Sequence, residues 1–167
     1  MNVAVVVGNP KAESRTRRVA VAVADHLATR LGAGPDRLVV DLADIAGELF
    51  DPDSKKVQEL LDGVANSDLL VVASPTYKAT YTGLLKSFFD RYGTDALHGS
   101  VGVAVMTGAG PIHALAPEVH LRPLLVELGV STPTRGLYVT ESQFDDLGTV
   151  IGAWAETAGQ LLQRALS

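Results

Sequence analysis

Gly8-Asn9-Pro10, followed by Ser14-Arg15-Thr16, brings two hydroxyls and a guanidinium to the point where an apolar run, Val3 to Val7, gives way to a helical pattern. Such a group suits a phosphate. The first amides of a helix have no internal partner and lie at the positive end of its dipole, so the turn also offers backbone donors. Two other phosphate loops are set aside. Glu13-Ser14-Arg15 stands where a Walker A loop needs Gly-Lys-Ser/Thr, and no G-x-G-x-x-G follows the apolar run. Ser14 also suits a plain N-cap, so these residues alone leave both a phosphate site and a capped turn open.

Two more stretches carry unusual chemistry. Ser74-Pro75-Thr76-Tyr77-Lys78-Ala79-Thr80-Tyr81-Thr82-Gly83 is long, aromatic and polar, and Thr107-Gly108-Ala109-Gly110-Pro111 is a loop whose glycines let the backbone approach a flat ligand. A phosphate loop, a loop with a rigid Pro and aromatics, and a glycine loop suit a ligand with a phosphate tail and a planar polar ring. Flavin mononucleotide (FMN) fits that description best.

These loops need rigid elements behind them, and the chain alternates accordingly. Val3 to Val7 reads as a buried strand, and Val19, Val23, Leu27 and Leu31 give Thr16 to Leu31 a helical spacing that Gly32-Ala33-Gly34-Pro35 ends. Leu38 to Leu42 is a second strand, and Asp41 to Phe50 an irregular connection. Ser54 precedes a helix marked by Val57, Leu60, Leu61 and Val64; Asp68 to Ala73 is a third strand and Gly83 to Tyr92 a third helix. Val101 to Met106, Ala116 to Leu128, Gly136 to Val139 and Asp145 to Leu166 continue as strand, helix, strand and closing helix. Strands that alternate with helices predict an α/β fold whose parallel sheet is covered on both faces. Ligands of such sheets sit beyond the carboxyl ends of the strands, where the three unusual loops fall.

Composition bounds the rest. The chain has 167 residues, 47% hydrophobic and 20% charged, with mean hydropathy +0.20. That size and balance predict one compact domain. No apolar run is long enough to span a membrane, which leads us to expect a soluble, cytoplasmic protein. The absence of cysteine removes disulfides, thiolate nucleophiles and thiolate metal sites. Four scattered His without ligand spacing predict no metal site. A net charge of -5 argues against nucleic acid as a partner.

Three segments together carry a family resemblance: GNPKAESRT at 8–16, SPTYKATYTGLLKSFFD at 74–90 and TGAGPIHALAPEVHLRPLLVELGV at 107–130. They resemble the NAD(P)H-dependent FMN reductases, and most closely the branch that supplies reduced flavin to two-component sulfonate monooxygenases. The first is similar to that family's G-S-x-x-x-x-S-R-T phosphate loop, the second to its P-x-Y-x-x-S/T-Y-x-G-x-x-K segment, and the third to its T-G-G-x-x-x-H loop. Asn9 departs from the usual Ser, and Ala109 from the second Gly of the pair.

The resemblance implies a flavodoxin-like, three-layer α/β/α domain over residues 1–167, with five parallel strands in the order 2-1-3-4-5. It implies that Gly8 and Asn9 form the phosphate turn and that Ser14, Arg15 and Thr16 hold the FMN phosphate. Pro75, Thr76, Tyr77 and Lys78 would line the isoalloxazine and ribityl chain; Thr107, Gly108, Ala109 and Gly110 would offer amides to the pyrimidine edge, with His113 nearby. The implied reaction passes a hydride from NADPH or NADH to flavin N5 and needs no catalytic acid or base. Implied partners are further copies of the chain, as homodimer or homotetramer, and a flavin-dependent monooxygenase. A quinone or azo reductase and a flavodoxin-like electron carrier stand as alternatives on the same fold.

Two smaller expectations accompany these. One Arg among Arg15, Arg17 and Arg18 is a candidate for the 2′-phosphate of NADPH. Around His120 the helix is expected to depart from regularity, either through a π-bulge like that of the sulfonate-linked branch or through a kink at Pro123. The aromatic cluster Phe88-Phe89-Tyr92 suits core packing or a subunit interface.

Overall fold

The apolar runs form one parallel sheet. In the computed structural model, which describes Met1–Ser167, strands β1 (Val3–Val7), β2 (Arg37–Asp41), β3 (Leu69–Pro75), β4 (Val101–Gly108) and β5 (Leu137–Thr140) lie in the order β2-β1-β3-β4-β5. All four pairings are parallel, with Val7 beside both Asp41 and Ala73, and Pro75 beside Thr107. The central strands are buried on both faces, which is why they read as unbroken apolar runs rather than alternating ones.

Alternate residues of each strand feed opposite layers. Val3, Val5 and Val7 pack with Val19, Val23 and Leu27 of α1 (Arg15–Leu31) and with Leu147, Ile151 and Leu162 of α5 (Leu147–Ala165). Ala4 and Val6 join Val57, Leu61 and Val64 of α2 (Lys55–Ala65), Leu85, Phe88 and Phe89 of α3 (Gly83–Phe89), and Leu125 of α4 (Arg122–Glu127). Phe88 and Phe89 are wholly buried and meet edge to face at 5.5 Å between ring centroids, so the aromatic cluster belongs to the core. No helix is long and apolar enough to cross a membrane.

Element ends differ from the sequence reading where loops meet the ligand-facing edge. β3 and β4 run two residues past Ala73 and Met106, because Thr107 pairs with Pro75 and its carbonyl accepts from Thr76 N–H at 2.7 Å. α3 stops at Phe89 instead of reaching Tyr92, capped by Asp90. The expected helix from Ala116 to Leu128 is broken: Pro117–Leu121 form a π-helical turn, in which Arg122 N–H reaches back to Pro117 O, before α4 begins. Pro123 has no N–H to continue a regular ladder. Glu118 anchors the turn by pairing with Arg122 and accepting from Gly136 N–H at 2.6 Å, and Arg122 donates to Thr132 O at 2.9 Å.

Candidate active site

Beyond Val7 the chain turns sharply against α3. Gly8 N–H donates to Ala73 O at 2.8 Å, and a Cβ on Gly8 would lie 2.6 Å from Leu85 Cβ, so only glycine fits between strand and helix. Asn9 then shapes the loop. Its Oδ1 accepts from Lys11 N–H at 2.9 Å, and its Nδ2 donates to Thr16 Oγ1 at 3.1 Å. Ser14 is the N-cap of α1, its Oγ accepting from Arg17 N–H at 3.1 Å. The cap reading and the anion reading are compatible, because the amides of Ser14, Arg15 and Thr16 donate to no protein acceptor.

A cavity of ≈ 440 Å³ opens over these amides at the carboxyl ends of β1, β3 and β4. It brings together Asn9, Ser14, Arg15 and Thr16 from the first loop, Pro75, Thr76 and Tyr77 from the second, and Thr107, Gly108 and Ala109 from the third. Thr16 links two of the loops, its buried hydroxyl standing 2.9 Å from Thr107 Oγ1. Asn9 donates to the Thr16 hydroxyl, and in the Thr16–Thr107 pair either hydroxyl can be the donor.

Of the expected residues, Gly8, Lys78, Gly110 and His113 do not line this cavity. Gly8 shapes the turn beneath it. Lys78 and Ala79 form the tip of a tight turn whose flanking Tyr77 and Thr80 exchange backbone bonds at 2.9 and 3.2 Å. Both tip residues are left-handed, φ 51 and 72, a strain of about 1 kcal/mol or more each for residues other than glycine. His113 lies with His120, Ala79 and Ile112 around a second, largely apolar hollow of ≈ 370 Å³. Gly110 is extended and open to added bulk, whereas Gly108 is confined by Tyr138.

Four further residues complete the lining: Lys11, Glu13, Glu141 and Phe144. Glu141 and Phe144 belong to a short 3-10 turn after β5, and Arg15 reaches across to them. Its Nη2 donates to Glu141 Oε1 at 2.7 Å, and its guanidinium lies 5.3 Å from the Phe144 ring centroid. The other two arginines are also engaged. Arg17 sits between Glu13 at 3.1 Å and Asp41 at 3.7 Å, and Arg18 donates to Phe144 O at 2.9 Å. Burial pushes the Asp41 carboxyl above its ordinary range, an effect that Ala43 N–H, Glu13 N–H and Arg17 only partly offset.

The donor set fits FMN. Thr76 Oγ1 is buried without any hydrogen-bond partner, and the amides of Ala109 and Gly110 donate to no protein acceptor. Buried polar groups are ordinarily paired, so the orphan hydroxyl of Thr76 and the free amide of Ala109, which line one cavity, suit a polar ligand. No group of three or more His, Asp or Glu is placed to hold a metal ion.

Residues 1–145 match the family described as NADPH-dependent FMN reductase. The chain belongs to this family. It is 35% identical over 150 residues to the NADH-dependent FMN reductase SfnF of Pseudomonas putida, covering 87% of this chain and 80% of that protein. It is 30% identical to SfnE of the same organism, also named an NADH-dependent FMN reductase, over 99% of this chain and 91% of that one. The apo crystal structure of the NADH:FMN oxidoreductase EmoB superposes with a TM-score of 0.86 at 30% identity, covering 99% of this chain and 90% of the other. The family fold is flavodoxin-like, and an archaeal flavodoxin at 18% identity shares it with a TM-score of 0.60.

Proposed function

We propose that this chain is an NAD(P)H:FMN oxidoreductase, a single FMN-binding domain over residues 1–167. The reading rests above all on one coincidence: partnerless amides at Ser14–Thr16 and the partnerless hydroxyl of Thr76 belong to the lining of one cavity. When bound, FMN supplies the redox chemistry, its ring taking up hydride from NADPH or NADH. The chain's own part is to bind and orient. The α1 amides with Ser14, Arg15 and Thr16 hold the phosphate, Pro75, Thr76 and Tyr77 the ribityl chain and ring, and the 107–110 backbone stabilises negative charge at the pyrimidine edge. Gly8 supports the phosphate turn, while Lys78 and His113 lie outside the lining and are given no contact with the flavin.

No side chain is assigned a proton-transfer role, since hydride transfer between stacked rings depends on position. Relatives named for NADH and for NADPH both occur, and we assign the chain either donor. We infer a cytoplasmic enzyme, where pyridine nucleotides are available. Ile112, Leu115, Val119 and Val126 are all more than half exposed from the 3-10 turn at Pro111–His113 to α4, apolar exposure that supports assembly as a homodimer or homotetramer. A flavin-dependent monooxygenase is the proposed recipient of the reduced flavin.

Anaerobic stopped-flow absorbance tests this reading. Protein with a several-fold excess of FMN is mixed with NADPH or with NADH. Bleaching beyond one flavin per subunit is the expected result, and no bleaching with either nucleotide would replace the enzyme with an electron carrier.

A further inference from the structure

Carboxylates stand among the cations of the cavity. Lys11 and Arg15 bring positive charge to its lining and Glu13 and Glu141 negative charge, and Glu13 is already paired with Arg17 at 3.1 Å. Of the two carboxylates, Glu141 is the one paired with the phosphate-loop arginine. Its only side-chain bond is the 2.7 Å contact from Arg15, and Arg15 has no other hydrogen-bond acceptor. Glu141 takes one donor of the guanidinium and offsets the charge that Arg15 would otherwise offer a phosphate.

Removing the carboxylate leaves Arg15 in place. The Phe144 ring, itself 8% exposed, stacks against the guanidinium at 5.3 Å and supplies a fixed support independent of Glu141. The 3-10 turn that carries Glu141 is held by Thr140 and Gln143, whose side chain accepts from Thr140 N–H at 2.9 Å, so the turn does not depend on Glu141 either.

We propose that Glu141 sets how tightly the phosphate is held: by occupying Arg15 and placing a like charge at the phosphate end of the cavity, it keeps FMN exchangeable rather than permanently bound. The proposal rests on the reading of this cavity as the FMN site. It makes Glu141 a residue that separates a diffusible flavin substrate from a resident cofactor.

Glu141→Gln keeps the shape of the side chain and removes its charge. The expected result, by fluorescence quenching of free FMN and of riboflavin, is FMN affinity raised about three- to tenfold, with riboflavin affinity unchanged and the FMN gain lost at high salt. Stopped-flow release of FMN should slow by the same factor. Unchanged or weaker FMN binding in Glu141→Gln, or an equal change for riboflavin, would overturn the proposal while leaving the functional reading intact. A wild-type protein that quenches neither flavin would overturn the functional reading itself and the proposal with it.

Discussion

Tyr138 fills the space that a side chain on Gly108 would need. A Cβ at Gly108 would overlap the Tyr138 hydroxyl and lie 3.0 Å from its ring carbon Cζ, while that hydroxyl donates to Gly110 O at 3.0 Å. β5 thereby props up the loop after β4 from below. Gly108→Ala should force the ring aside, break the bond to Gly110 and cost about 1–3 kcal/mol in denaturant unfolding. Adding Tyr138→Phe removes the overlapping atom, so the double variant should lose less than the sum of the two single losses.

Thr16 joins the loop after β1 to the glycine loop, and Ser14 does not. Thr16→Val would leave Asn9 Nδ2 and the Thr107 hydroxyl without their shared partner in a buried site, at a cost of about 1–3 kcal/mol. Ser14→Ala would remove one cap bond, at a cost of about 1 kcal/mol. Thermal unfolding of the two flavin-free variants should therefore rank Thr16→Val below Ser14→Ala, and the reverse order would break the assignment of Thr16 as the link.

Asp41 gives stability a dependence on pH. Its carboxyl holds its proton more firmly in the folded chain than the ordinary value of 3.8 allows, because burial penalises the charged form. The folded state thus binds more protons than the unfolded state just above that value, and Asp41's contribution to stability falls as pH rises through the raised folded value. Asp41→Asn carries no such charge. The difference in unfolding free energy between Asp41→Asn and wild type should move in favour of the variant as pH rises from 3.8 towards neutrality; a difference that stays flat would contradict it.

Much of this architecture is legible in the chain because local patterns and tertiary needs agree. The run Val3 to Val7, ended by Gly8-Asn9-Pro10, has the length and β-branched content of a doubly buried strand, and Ser14 before a periodic apolar face suits a helix start. The segments that resisted are those settled by distant partners. Glu141 and Phe144 reach the cavity only because β5 is laid beside β4, and no spacing in the sequence announces their contact with Arg15. Gly108 reads as a place for close ligand approach, and its packing against Tyr138 is a second demand that no local pattern shows. The break at Pro117–Leu121 was half visible, since Pro123 forbids a regular ladder; the π-turn that resolves it depends on Glu118 meeting Gly136 and Arg122.

Thr76 offers the sharpest contrast between stability and binding. Its hydroxyl is buried and partnerless in the flavin-free chain, so it contributes desolvation cost and no bond. Val has nearly the same shape and lacks that group. Thr76→Val should leave the flavin-free protein as stable as wild type or up to about 1 kcal/mol more so, since an unpaired polar atom has been removed. On the proposed placement of Thr76 at the ring and ribityl chain rather than the phosphate, FMN and riboflavin should both bind about three- to tenfold more weakly. Thermal unfolding without flavin and fluorescence titration with each flavin check the two halves separately. A variant that loses stability and keeps its flavin affinity would show that the hydroxyl serves the fold and not the ligand.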